Sequence, residues 1–281
     1  MDSFAVDNNK LSFEVLCVTM HQTDFSKIEK MNISSNVVFA NQCDHTSYEE
    51  MIFDGHTAKM ISTQTRGVGK NRNLTLIYAS ADICLFADDD VTYVDDAEQK
   101  ILSEFASHPD ADIFIFNFDS DDSTRPDIKH SKTKKWISLR NPWGAIRIAF
   151  RLSAIKKANL WFSTLFGGGC VFPSGEDSIW LKDARKAGLT IYVSKETIGT
   201  VSYETSSWFT GYDEKYFYGI GACYQAINRK TAQFKKLLRL IKERNRGTLT
   251  FKQKKQWMTN GIKGYDKMLS YQDFCQNSNY K

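Results

Sequence analysis

Apolar residues in this chain fall into short continuous runs separated by polar stretches, and those runs set the fold expectation. Phe13-Glu14-Val15-Leu16-Cys17-Val18-Thr19, Asn36-Val37-Val38-Phe39-Ala40-Asn41, Ile83-Cys84-Leu85-Phe86-Ala87 and Asp112-Ile113-Phe114-Ile115-Phe116-Asn117-Phe118 read as strands covered on both faces. Ala58 to Thr63 is a weaker strand. Helical stretches lie between them: a short one from Asp24 to Lys30, Leu74 to Ala79, and Ala97 to His108. Strands alternating with helices predict an α/β fold, a Rossmann-like, mostly parallel sheet flanked by helices.

The pattern changes after Asp119. Ser120 to Lys135 is polar, carries Pro126 and reads as an exposed loop. Ala145 to Leu152 predicts an edge strand and Ser153 to Ala158 a short helix. Phe166-Gly167-Gly168-Gly169-Cys170 is a loop that needs close backbone approach or unusual dihedrals. Ser174 is placed to cap a helix from Glu176 to Ala187, which Gly188 ends, and Leu189 to Val193 follows as a strand. Phe234, Leu237, Leu238 and Ile241 then repeat at i, i+3, i+4, i+7, with Lys235, Lys236, Arg239 and Lys242 mostly off that stripe. That helix fits equally an ordinary helix docked on the domain and a basic amphipathic helix lying on an anionic leaflet. The expected division is a catalytic domain over residues 1–205, with halves at about 11–119 and 136–205, and a basic helical extension over 206–281.

Charge sharpens this picture. The net charge is only +4, yet from Arg229 to Lys267 there are 13 basic and 2 acidic residues, 13 − 2 = +11. Such asymmetry calls for an anionic partner. No nucleic-acid recognition motif accompanies the basic residues, so a membrane surface is the expected one. No apolar run approaches the roughly 18 residues of a spanning helix. Met1 to Lys10 is polar, unlike a signal peptide, and the six cysteines form no CxxC pair. The expected location is the cytosol, with peripheral attachment to the inner face of a membrane.

The chemistry concentrates at two acidic sites. Asp88, Asp89 and Asp90 end the third of the apolar runs, where open α/β sheets place ligands. Three adjacent carboxylates repel one another, and a hard divalent cation resolves that repulsion; a solvated acidic turn is the competing reading. Gly175-Glu176-Asp177 begins a helix, where the macrodipole favours acidic residues. Asp177, well removed in sequence from the metal candidates, suits a general base. Arg66, Lys70 and Arg72 flank two glycines ahead of a helix and suit phosphate. Trp136, Trp143, Trp208 and Phe209 are either sugar platforms or core residues.

In order and spacing these features resemble the family 2 glycosyltransferases of the GT-A fold. The opening strand Val15 to Thr19, the pair Arg72-Asn73, the stretch Ala87-Asp88-Asp89-Asp90 that matches the DxD motif, and Gly175-Glu176-Asp177 that matches the "ED" motif span residues 13 to 205. Ser206 to Tyr212 and Lys215 to Tyr218 look like a signature of a bacterial polysaccharide-type subset. The resemblance implies inverting transfer of one sugar from a nucleotide-diphosphate sugar, UDP-linked by expectation, to a hydroxyl of a saccharide or lipid-linked saccharide. Asp88 and Asp90 would hold Mn²⁺ or Mg²⁺, with Asp89 beside the ribose or sugar. Thr19, Asp44 and Arg72 would line the nucleoside pocket, and Asp177 would be the base. Val201-Ser202-Tyr203-Glu204 lacks the His ligand that many such enzymes carry, and no Q-x-x-R-W motif of a processive synthase appears. Two alternatives remain: a haloacid-dehalogenase-like phosphatase with Asp88 as nucleophile, from the D-x-D-x-T match at Asp88 to Thr92, and a non-catalytic nucleotide- or sugar-binding module.

Overall fold

All seven residues of the first apolar run are buried, and they form the middle of a large mixed sheet. The computed structural model describes residues 11–120, 129–136, 144–202 and 211–276. In chain order the elements are β1 (Phe13–Met20), α1 (Lys27–Lys30), β2 (Asn36–Gln42), β3 (Ser47–Phe53), β4 (His56–Thr63), α2 (Val68–Tyr78), β5 (Ile83–Asp88), β6 (Val91–Tyr93), α3 (Ala97–Ser107) and β7 (Ile113–Ser120). They continue with β8 (Lys134–Lys135), a 3₁₀ turn (Ala145–Arg147), β9 (Ile148–Arg151), α4 (Leu152–Lys157), α5 (Glu176–Lys186) and β10 (Ile191–Val201). The C-terminal helices are α6 (Glu214–Ile227), α7 (Ala232–Lys242), α8 (Phe251–Asp266) and α9 (Tyr271–Gln276).

The strand order is β3-β4-β2-β1-β5-β9-β7-β10-β6, with β8 paired to β10. Alternate residues of each run serve opposite cores. Phe13, Val15 and Cys17 of β1 join Phe39 and Leu85 on one face, closed by Ile101 and Phe105 of α3. Leu16, Val38 and Phe86 enter the other, closed by Leu76 of α2, Ile155 of α4 and Trp180 and Leu181 of α5. Both faces being covered is what makes the runs continuously apolar.

Strands β4, β2, β1 and β5 are parallel, so their C-terminal ends share one edge. The chain leaves β1 toward β2 on one side and returns to β5 on the other. That reversal opens a crevice at the ends of β1 and β5, where the register pairs Val18 with Asp88.

Four expectations are corrected. The sheet is parallel only in part, because β9 lies between β5 and β7 and is antiparallel to both. The stretch expected at an edge is therefore central, with Ile148, Ala149 and Phe150 fully buried. Four residues carry too little pattern to say what they pair with. The β3 strand is an exposed edge strand that apolar patterning does not reveal. Its signal is the Asp54-Gly55 turn, both residues at positive φ, which joins Phe53 to its partner His56. Helix α2 starts at Val68 rather than Leu74, taking Lys70 and Arg72 into the helix. The end of the expected loop, Lys134–Lys135, pairs with β10, which itself runs on through polar Ser194, Lys195 and Glu196 to Val201.

The C-terminal helices pack on the glycine-rich segment. Phe166 stacks on Phe172 at 4.8 Å, and Tyr265 of α8 packs against both. Helices α6 and α8 touch backbone to backbone: a Cβ on Gly221 would sit 2.1 Å from the Met258 carbonyl oxygen, and one on Gly261 1.9 Å from that of Tyr218. Among the described residues no helix is long and apolar enough to cross a membrane.

The helix contact yields a sign test. In a free helix Gly→Ala gains about 1 kcal/mol. Here Gly221→Ala must push backbone apart, so it is expected to cost about 1–3 kcal/mol instead, read as a lower midpoint in urea unfolding.

Candidate active site

Three consecutive side chains of α2 fan out at helical spacing and tie the crevice together. The Asn71 amide donates to the Ala40 carbonyl at 2.9 Å, fastening α2 to the sheet. Asn73 exchanges hydrogen bonds with the backbone of Phe162, donating to its carbonyl at 3.0 Å and accepting from its N–H at 2.8 Å. Between them Arg72, only 3% exposed, donates from one guanidinium nitrogen to Asp88 Oδ1 and from the other to Glu176 Oε1, both at 2.8 Å. The ring of Phe162 lies under the guanidinium, 5.4 Å from its carbon. The acidic end of β5 and the start of α5 are thus held to one cation.

Packing fixes α5 from its other end. Trp180, one turn beyond Glu176, is fully buried, stacks on Phe162 and meets the edge of Phe86 on β5 at 5.5 Å. The N-terminus of α5 is capped by Gly175 at φ +113° rather than by the Ser174 side chain. That glycine is required twice over, since a Cβ there would lie 2.7 Å from Cys223 Sγ of α6. Gly167, at φ +103°, lets the glycine-rich loop pass Val68 and the Glu176 carboxylate, which a Cβ would meet at 2.3 and 2.9 Å.

The three aspartates point to different tasks. Asp88 is bound to Arg72. Asp89 turns back toward β1 and α1, accepting from Thr19 Oγ1 at 2.5 Å and pairing with Lys27 at 3.2 Å. Asp90 sits among like charges. Burial, then the charges of Asp88 and Asp89, push its carboxyl from 3.8 up to about 7. Asp177, at the start of α5, is also pushed up to about 7, first by burial and then by the Glu176 charge, with Arg72 pulling the other way. Its Oδ1 accepts the Ser178 N–H at 2.6 Å.

Asp88, Asp90, Arg72, Thr19 and Asp89 therefore gather at the ends of β1 and β5, and Glu176 brings the start of α5 to them. The expected role of Arg72 in a nucleoside pocket changes. Its two bonded nitrogens are spent on carboxylates, so it clamps the site rather than offering a free guanidinium. The expected phosphate loop changes with it, because the Val68 N–H that opens α2 donates to the Gly168 carbonyl. Arg66 is tied to the Cys43 carbonyl at 2.7 Å. Asp44 follows β2 on the same sheet edge, but its side chain is exposed and meets His45 at 3.1 Å. Among the described residues, donor atoms of Cys43, Asp44 and His45 lie within 4.8 Å of one another, a grouping the sequence did not single out. Trp136 is core, 8% exposed, with the Arg185 guanidinium over its ring, which settles it against a sugar platform. Trp143, Trp208, Phe209, Tyr203 and Glu204 lie outside the described residues. Sequence reasoning missed Glu176 as the second partner of Arg72, and Lys27 as the partner of Asp89. Trp180, four residues after Glu176 on one helix face, was the available signal for the first.

The donor chemistry fits a hard divalent cation. One oxygen of Asp88 is outside the Arg72 bond, and Asp90 is crowded by negative charge, two carboxylates such as an ion bridging to phosphate uses.

Residues 37–166 match the family model of glycosyl transferase family 2. The chain is similar to crystal structures of TarS from S. aureus. TarS 1–349 is 13% identical with a TM-score of 0.54, over 93% of this chain and 93% of that one. TarS 1–349 in complex with UDP-GlcNAc is 13% identical with a TM-score of 0.58, at the same coverage. TarS itself is 15% identical with a TM-score of 0.54, over 95% of this chain and 46% of that one. No curated protein matches the chain. The family match covers a little under half of the chain, and the protein as a whole has the GT-A fold of these neighbours. The matched domain is that of an enzyme of the glycosyltransferase class.

Two outcomes test this geometry. Arg72→Met leaves two carboxylates facing each other; breaking a buried pair costs about 3–5 kcal/mol, and the water reaching Asp88 puts the expected loss near about 3, measured by denaturant unfolding. Asp90→Asn is expected to raise the melting temperature of the metal-free protein. The folded state holds the Asp90 proton up to about pH 7 and the unfolded chain only to about 3.8, so wild-type stability falls as pH rises across that window. The gain from Asn therefore grows from pH 4 to 7 and levels above it, which a pH series of thermal melts would read.

Proposed function

We propose that the protein is a divalent-metal-dependent, inverting transferase that moves one sugar from a nucleotide-diphosphate sugar to a hydroxyl of a saccharide or lipid-linked saccharide. The observation that carries the reading is the Arg72 bridge. It holds the Asp88 end of β5 and the start of α5, with Asp177, in one crevice at the reversal point of the sheet. A UDP-sugar is the donor class favoured, in keeping with the UDP-GlcNAc and UDP complexes of TarS. The acceptor class rests on the polysaccharide-type signature around Ser206 to Tyr218. We read residues 1–205 as the catalytic domain and 206–281 as an extension bracing its acceptor side.

In this reading Asp88 and Asp90 would hold Mn²⁺ or Mg²⁺, which when bound neutralises the leaving diphosphate. Asp89, fixed by Thr19 and Lys27, would lie beside the ribose or sugar, and the exposed Asp44, two residues past β2, would close over the base once a nucleotide is bound. The Asp177 carboxylate takes the acceptor hydroxyl proton as that oxygen forms its bond to the anomeric carbon. The bond from that carbon to the diphosphate oxygen breaks on the opposite side, so configuration inverts and the nucleoside diphosphate leaves. A carboxyl raised to about 7 is a stronger base than an ordinary aspartate while still ionised in part at neutral pH. Arg72 keeps that carboxyl from rising further and sets its position through Glu176.

The test has two arms. UDP with Mn²⁺ is expected to raise the melting temperature, and EDTA or Asp90→Ala to remove the shift; no shift with any nucleoside diphosphate overturns the reading. Asp177→Asn should retain the shift while lowering transfer about 10²- to 10⁴-fold. Because the ionised form is the active one, wild-type transfer should rise about tenfold per unit of pH below 7 and level above it. A flat profile down to pH 5 would remove Asp177 as the base.

A further inference from the structure

Helix α7 is packed with its apolar stripe outward. An amphipathic helix on a globular protein ordinarily turns that stripe to the core. Here Phe234, Leu237, Leu238 and Ile241 are 64%, 50%, 52% and 52% exposed. The inward positions are Ala232, Lys236 and Leu240, at spacings of four. The charged side chains on that inner side each find a partner within the protein. Lys236 Nζ donates to Thr259 Oγ1 of α8 at 2.9 Å. Arg239 pairs with Glu243 at 2.7 Å and donates to the Tyr216 hydroxyl of α6. The orientation is thus built by specific contacts, and it leaves four large apolar side chains on one face of one helix. Single exposed leucines are unremarkable, but a contiguous set rimmed by polar residues marks an interaction surface.

Charge says what covers it. Residues 229–255 contain eleven Lys and Arg, of which Lys236 and Lys254 are buried, against one acidic residue, Glu243, which is buried and taken by Arg239. Lys182 and Lys186 of α5 lie close enough to Lys235 to oppose its charge, which extends the positive field onto the next helix. A second copy of the chain would bring the same excess of positive charge against this face. Protein interfaces are depleted of lysine at their centres. A bilayer bearing anionic headgroups accepts both features at once, apolar side chains into the acyl boundary and cations at the phosphates.

We propose that the outward face of α7, with Lys182 and Lys235 beside it, seats the protein on an anionic lipid surface. The seat lies along α5, the helix whose other end carries Asp177. An acceptor carried on a lipid would reach the crevice from that side. The lipid seat itself requires nothing of the catalytic reading, and its test requires no turnover.

The experiment is flotation with vesicles of phosphatidylcholine alone and of phosphatidylcholine mixed with phosphatidylglycerol, at low and high salt, with the full chain. Wild type is expected to float with the anionic vesicles only, less so at high salt. Leu237→Ser with Leu238→Ser is expected to weaken that binding at least about tenfold, given the apolar area each leucine would insert. Both leucines face outward, so the melting temperature and its shift with UDP and Mn²⁺ should be unchanged; a lost UDP shift in wild type bears on the transferase reading and not on this one. Equal flotation of wild type and the double variant overturns the proposal. So does a wild type that ignores vesicles but dimerises with concentration in light scattering, with the substitutions restoring the monomer. Binding to duplex DNA without binding to vesicles overturns it as well.

Discussion

A guanidinium with almost no contact with water sits between two carboxylates that lie 16 and 104 residues further along the chain. Burying Arg72 is tolerable only because both partners are present with good geometry, since an uncompensated charge in that position would be strongly destabilising. The requirement works outward. Asn71 and Asn73 hold the helix that carries Arg72, Trp180 and Phe162 hold the helix that carries Glu176, and β5 delivers Asp88 at the sheet's reversal point. The glycines at 167 and 175 have no tolerated substitute in volume, because the Glu176 carboxylate and Cys223 occupy the space a side chain would need.

The same crevice accumulates negative charge it does not neutralise. Among the described residues Arg72 and Lys27 are the cations bonded to the cluster, against Asp88, Asp89, Asp90, Glu176 and Asp177, and burial together with that excess raises Asp90 and Asp177. Sites that store unfavourable electrostatics in this way trade stability for function. In the proposed reaction the two raised carboxyls serve different ends. One is suited to a cation that a substrate brings or shares, and the other to accepting a proton near neutral pH. Their separation follows from the fold, one at the end of a strand and the other at the start of a helix.

The C-terminal helices connect this centre to the surface. Helix α6 touches the cap of α5 through Cys223, α8 reaches the glycine-rich loop through Tyr265, and α7 rides on both helices with its apolar side free. The glycine contacts between α6 and α8 make this unit tight, so the outward stripe is a consequence of what α7 finds on its inner side rather than of loose packing.

Much was legible in the sequence where local physics suffices. The runs of β1, β2, β5 and β7 are apolar on both faces through most of their length because each must fill two cores. The carboxylates at the end of β5 and at the start of α5 were visible because three adjacent like charges, and an acidic pair after a glycine loop, need a chemical reason. What the sequence could not decide is what faces what. Asp44 was expected in a pocket and its side chain is exposed, Trp136 was open between surface and core and is core, and Arg72 was expected at a nucleotide and is bound to Asp88 and Glu176. The central place of β9 and the outward turn of α7 belong with these. A four-residue strand and an eleven-residue amphipathic helix carry their periodicity in themselves, but their partners come from distant segments. Burial and pairing are properties of the assembled neighbours, so only the tertiary structure could assign them.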